Sequence, residues 1–178
     1  MVKNIKYIAI AVVLFVIAII AFSFFEDPPP EKQIEKQLEK FLSNASKSSG
    51  DKLTTGLLKS KSLESLFAPR CKFYVGVSSF SGTYTPVQIS ANAMRCRSMF
   101  KRIKFSAHDI QINLMSPSTA TVDFTGSVSG LSKRGKSIKT YKELTCNLQL
   151  IEGKWLINAI CIREIIKKKL FYFLNLQY

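Results

Sequence analysis

The stretch TCNLQLIEGKWLINAICI, residues 145–162, sets two apolar runs around a Glu-Gly pair. A two-residue tip fixes the register of a hairpin. With Glu152-Gly153 as that tip, Leu150 stands opposite Trp155, Gln149 opposite Leu156, Leu148 opposite Ile157 and Asn147 opposite Asn158. Further out, Cys146 meets Ala159, Thr145 meets Ile160, Leu144 meets Cys161 and Glu143 meets Ile162. Side chains alternate across a strand, so Leu148, Leu150, Trp155 and Ile157 share one apolar face and the opposite face is half polar. An apolar sheet face must be covered by a second layer.

The segments upstream supply that layer. In EKQIEKQLEKFLSNAS, residues Ile34, Leu38, Phe41, Leu42 and Ala45 fall on one helical stripe. Ser48-Ser49-Gly50 breaks the pattern, and Asp51 reads as the cap of one or two shorter helices carrying Leu53, Leu57, Leu58, Leu63, Leu66 and Phe67. CKFYVGVSSF reads as a strand, and ISANAMRCRSMFKRI as a helix with Ile89, Ala93, Cys96 and Phe100 on one face. The period then falls to two: Ile110, Ile112 and Leu114 alternate with polar residues, as do Ala120, Val122, Phe124 and Val128. Helices, a short strand, a helix and a four-stranded antiparallel meander make an α+β fold with helices against one face of a mainly antiparallel sheet.

Tyr7 to Phe25 contains no charged residue. Its 19 residues would span about 28 Å as a helix, close to the ~30 Å of a hydrocarbon core. The competing assignment is a cleaved secretory signal, but Phe24 and Phe25 are bulky for the region after a cleavage site. Lys3 and Lys6 precede the run while Glu26 and Asp27 follow it, which keeps the N-terminus cytoplasmic and the rest extracytoplasmic, as in a single-pass inner-membrane protein. The expected organisation is therefore 1–6 cytoplasmic, 7–25 transmembrane, 26–30 a proline-rich spacer, 31–165 the folded domain and 166–178 a basic and aromatic tail.

The order of elements, with a last hairpin strand that opens GKW and runs on through LINAICIREI, resembles the nuclear transport factor 2-like, or SnoaL-like, superfamily over residues 31–165. The resemblance implies a curved, mainly antiparallel sheet that wraps with the helices into a cone, with a cavity between them and an outer sheet face often used for dimerisation. It implies isomerases, dehydratases or non-catalytic domains alike.

Catalysis requires convergent polar groups, and the candidates are few. His108 shares parity with Ile110 and Ile112 and is expected to point inward. Tyr74 and Tyr84 could offer phenolic donors, while Asp109 and Asp123 have outward parity. An apolar pocket would be walled by Trp155, Ile157, Leu148 and Phe124, of which Trp155 is foremost a core filler. Cys71, Cys96, Cys146 and Cys161 lack metal-site spacing, and neither metal nor cofactor is expected. A Cys71–Cys96 disulfide stays open at this level.

The formal net charge is +14. Arg95, Arg97, Lys101 and Arg102 cluster, as do Lys167, Lys168 and Lys169, and both groups suit contact with anionic headgroups. Nucleic-acid motifs are missing. Partners expected from the sequence are membrane lipid, a second copy through the outer sheet face, or an envelope protein complex. The function expected is a membrane-anchored, non-catalytic domain for interaction, self-association or ligand binding. The alternative is a SnoaL-like enzyme, of isomerase or dehydratase type, acting on a small hydrophobic substrate.

Overall fold

The computed structural model describes residues 28–76 and 81–163, together with Val13, Phe15 and Val16. The first complete helix, α1 (Pro30–Ala45), starts on a proline, whose fixed φ suits the first helical position and whose missing N–H would have had no partner there. It buries Ile34 and Leu38. Its end is tied to the sheet, because Ser46 Oγ donates to the Leu42 carbonyl and accepts from the Phe105 N–H.

A single helix, α2 (Leu53–Glu64), follows. Asp51 does not cap it; the N-cap is Lys52, with no side-chain hydrogen bond. The inward face of α2 is Gly56, Ser60 and Leu63, not the leucine stripe the sequence suggests. Leu53, Leu57 and Leu58 are exposed. The small-residue side of α2 is the one that packs: a Cβ at Gly56 would meet Met94 Sδ at an ordinary contact distance of 3.8 Å.

After α2 come β1 (Phe67–Val75), β2 (Gly82–Tyr84) and α3 (Pro86–Met99). α3 opens on a capping box: Thr85 Oγ1 accepts from the Gln88 N–H, and Gln88 Oε1 accepts from the Thr85 N–H. Four long strands complete the chain: β3 (Phe100–Ser116), β4 (Thr119–Ser132), β5 (Ser137–Ile151) and β6 (Lys154–Arg163). The sheet order is β2-β1-β6-β5-β4-β3. β3 to β6 form the expected antiparallel meander, and β1 joins β6 in parallel.

The terminal hairpin keeps its predicted register for the four pairs nearest the tip, Ile151–Lys154, Leu150–Trp155, Gln149–Leu156 and Leu148–Ile157, and then departs from it. Asn158 is an extra residue, so Asn147 pairs with Ala159, Cys146 with Ile160, Thr145 with Cys161, Leu144 with Ile162 and Glu143 with Arg163. A bulge of this kind sets two residues against one and restores the inward direction one position later. Ile160 is thereby buried at 2% exposure, and Ile162 packs against the core, although strict alternation assigns both to the half-polar face.

A second bulge lies in β3. His108 pairs with Thr125 and Gln111 with Asp123, which leaves Asp109 and Ile110 opposite one residue. Asp109 takes φ +54, in the left-handed region that aspartate tolerates better than most side chains. Before the bulge the inward residues are Ile103, Phe105 and Ala107; after it Ile112 packs against the core.

The core joins Ile34 and Leu38 of α1, Leu63 of α2, Ile89 of α3, and Phe67, Cys71, Val122, Cys146, Leu148, Trp155 and Ile157 of the sheet. Among the described residues no helix is long and apolar enough to cross a membrane. The proposed span 7–25 lies outside the described residues except for Val13, Phe15 and Val16, which are helical and exposed. Residues 166–178 also lie outside them.

Candidate functional site

The helices and the inner sheet face close on each other at one end and part at the other. At the closed end only about 10 Å³ is left among Ile34, Leu38, Val122, Cys146, Leu148 and Ile157. At the open end an apolar cavity of about 180 Å³ remains. Phe41 and Leu42 of α1, Phe73 of β1, Phe105 of β3 and Phe124 and Val128 of β4 line it, with Leu144 of β5 and Ile160 and Ile162 of β6. Thr140 and Lys142 complete the lining on β5.

The cavity exists because two inward positions hold almost no side chain. Ala107 of β3 pairs with Gly126 of β4. A Cβ at Gly126 would collide with Leu144 Cδ1, so the glycine leaves room for a leucine that forms part of the wall. Neither residue stood out in the sequence; the signal was a glycine at an inward position of an alternating strand, which marks close approach.

Of the residues expected to wall a pocket, Phe124 lines this cavity. Leu148 and Ile157 lie deeper, around the small void. Trp155, at 4% exposure, belongs to the packed core.

The catalytic candidates are not brought together. His108 is exposed on the outer sheet face, where its Nε2 lies 3.3 Å from Ser127 Oγ; the β3 bulge removes the parity that would have turned it inward. Tyr74 is half exposed beside Arg70 and Lys72 on the same outer face, over a groove that also holds Asn147 and Asn158. Tyr84 faces inward and meets Phe73 edge-on, with ring centroids 5.5 Å apart. Asp123 points outward, as its parity requires, and accepts a hydrogen bond from Thr145 Oγ1 at 2.6 Å. The ionisable side chain among the described residues lining the cavity is Lys142. Among the described residues no group of three histidine, cysteine or acidic side chains comes together as a metal site.

The expected anionic-surface cluster divides. Arg95, Lys101 and Arg102 are exposed, whereas Arg97 is buried at 3% exposure. Its guanidinium donates to the carbonyls of Asn44 and Ser46 and to Asp51. Arg97 is thus a structural tie between α3 and the segment after α1. Lys167, Lys168 and Lys169 lie outside the described residues.

All four cysteines are thiols. Cys71 faces the core and is fully buried, and Cys96 is half-buried on α3, so the Cys71–Cys96 bridge left open by the sequence is not formed. Burial pushes the Cys71 thiol up to about 12. Burial, with Cys71 and Asp123 nearby, does the same for Cys146.

No protein-family model matches the sequence, and no curated protein matches it. Solved structures do. The hexachlorocyclohexane dehydrochlorinase LinA-type3 from Novosphingobium barchaimii LL02 superposes with TM-score 0.60 at 14% identity, over 75% of this chain and 84% of that one. The chain has the nuclear transport factor 2-like fold. A candidate scytalone dehydratase from Novosphingobium aromaticivorans gives TM-score 0.62 at 13% identity over 75% and 82% of the two chains. A protein with a cystatin-like fold from Caulobacter vibrioides gives 0.57 at 11% over 76% and 89%. At such identities the likeness concerns the fold, and function must be argued from the site.

Proposed function

We propose that the domain takes a small hydrophobic molecule into the open end of the cone, as a SnoaL-like enzyme takes its substrate. One observation carries this: an apolar cavity of about 180 Å³ lies where inner sheet face and helices diverge. An apolar void of roughly 150 Å³ is enough to hold one benzene ring. The ligand is accordingly a single ring or a short aliphatic chain.

Similarity to a dehydrochlorinase and to a candidate dehydratase supports the enzyme over a purely scaffolding domain. No histidine or carboxylate lines the cavity among the described residues, so proton transfer would fall to Lys142. His108, Tyr74 and Tyr84 have no part in it. The uncharged run 7–25, with Val13, Phe15 and Val16 exposed on a helix, supports a membrane anchor with the domain on the extracytoplasmic side.

The test is calorimetric titration of the full chain, in non-ionic detergent, with toluene and with cyclohexanol. Saturable binding that disappears in Gly126→Val, at preserved circular dichroism, is expected. Equal binding by both proteins would show that the ligand sits elsewhere. Lys142→Met should retain binding and lose turnover; retained turnover would return the chain to the non-catalytic class.

A further inference from the structure

The chain is strongly basic, with a formal net charge of +14, and part of that charge stands across the sheet from the apolar cavity: Lys104 and Lys139 each precede a residue that lines it. On the outer sheet face next to the β4–β5 turn lies a cleft of about 490 Å³, lined by Lys47, Arg102, Lys104 and Lys139, with Ser48, Ser129 and Ser137 beside them and no carboxylate among the described residues. Its arrangement follows from the register. Lys104 pairs with Ser129, and Ser129 pairs with Lys139. The two lysines therefore stand on one face two strands apart, about 10 Å, separated only by a serine. Arg102 precedes Lys104 by two residues on the same face, about 7 Å along the strand.

Like charges set this way across a sheet repel. The ion pairs described in the structure belong to Lys59, Lys61 and Arg97, and none reaches these side chains. Lys47 is held differently: its Nζ donates to the carbonyls of Arg97 and Phe100, at 3.2 and 2.7 Å, which fixes its charge on the cleft's wall. Gly130 forms part of the floor, and a Cβ there would come within 2.9 Å of the Arg102 carbonyl oxygen. The glycine lets β3 and β4 approach closely beneath the cleft.

We propose that this cleft binds a soluble anion carrying two or three linked phosphate groups. A guanidinium fork, three ammonium groups and three serine hydroxyls form a donor set suited to phosphate oxygens. Cations about 10 Å apart match a linked phosphate chain better than a single ion. The position of the cleft favours a soluble ligand over lipid headgroups. It adjoins Lys47, just beyond the end of α1, and the 16 residues of α1 place the helix start about 24 Å away. An anchor at residues 7–25 would hold its bilayer at that other end.

The experiment is isothermal titration of the full chain in non-ionic detergent with inorganic tripolyphosphate. One saturable site is expected, weakened by about tenfold or more in Arg102→Gln/Lys104→Gln, since hydrogen bonds to charged groups are the strong ones. Lys32→Gln/Lys36→Gln, on the exposed side of α1, should bind as the parent does. Toluene binding should survive in both variants, which separates this site from the cavity. Equal tripolyphosphate affinity in parent and cleft variant would overturn the proposal. So would binding seen only with nanodiscs of anionic lipid and not with tripolyphosphate, which would assign the cleft to a bilayer.

Discussion

Arg97 Nη2 lies 3.0 Å from Asp51 Oδ2, and the two side chains are 4% and 12% exposed. The pair joins α3 to the start of α2, while the same guanidinium closes two carbonyls left open after α1. Removing Arg97 leaves Asp51 paired with Lys59 but takes the side-chain donor from the Asn44 and Ser46 carbonyls, and a buried acceptor left unsatisfied costs about 1–3 kcal/mol. Arg97→Met is expected to lose that much stability in urea denaturation, whereas Lys101→Met, exposed at the start of β3, should change little. Equal effects would show that Arg97 contributes no more than a surface charge.

The same site sets the acid limit of the fold. Burial opposes ionisation of Asp51, but the hydrogen bond and charge of Lys59, a backbone hydrogen bond from Ser48 and the charge of Arg97 outweigh it, so its carboxyl sits below the usual aspartate value. A depressed folded-state pKa gives stability that is complete above the unfolded value, about 3.9 for aspartate, and is lost as pH falls through the folded value. Asp51→Asn should flatten the acid limb of a plot of stability against pH. An unchanged limb would assign acid unfolding to other carboxylates.

Cysteine reactivity reports on the core. Cys71 and Cys146 are 0% and 1% exposed with thiols pushed up to about 12, while Cys96 and Cys161 are partly accessible. Maleimide at neutral pH should tag Cys96 and Cys161 in the native chain and reach Cys71 and Cys146 only on denaturation. For the buried pair the folded pKa is raised, so their contribution to stability is whole below the ordinary thiol value, about 8.5, and drains as pH climbs toward 12. Rapid native labelling of all four would mean that the inner sheet face is not closed.

Cavity size should be tunable from one wall. Leu144 lies against the Gly126 position and lines the cavity. Leu144→Ala is expected to cost about 2–5 kcal/mol and to widen the accepted ligands from one ring to two, read as a gain in naphthalene affinity over toluene. Loss of stability with no change in ligand size would place the bound molecule elsewhere.

The layers and most of the sheet were legible because they follow from periodicity. Ile34 and Leu38, Val122 and Phe124, and Trp155 and Ile157 all lie where alternating or helical patterns put them. What pattern missed were single-residue events. One inserted residue at Asp109 moved His108 from the expected interior to the surface, and one at Asn158 moved Ile160 and Ile162 the other way. A bulge leaves no compositional mark, since any short polar residue could occupy it. Arg97 and Asp51 were misassigned for a related reason: a charge in a basic run, and an acid before a helix, look like a surface cluster and a cap until tertiary contacts are known. Gly126, which opens the cavity, is a single missing side chain whose meaning depends on Leu144 in another strand.

The Asn158 bulge supplies the most direct test of how the inner wall is built. Deleting Asn158 removes the extra residue but leaves Asn147 opposite Ala159 and Cys146 opposite Ile160, so plain alternation from Ile157 still turns Ile160 and Ile162 inward. It also removes Asn158 Oδ1, a buried oxygen with no hydrogen-bond partner among the described residues. The deletion and Asn158→Ala are therefore both expected to keep cooperative unfolding and toluene binding, with a stability change inside the range of about 0.5–3 kcal/mol common for single changes. Loss of cooperative unfolding or of toluene binding in the deletion variant alone would mean that alternation does not hold Ile160 and Ile162 on the inner face, and that the local bend of the bulge sets the wall of the cavity.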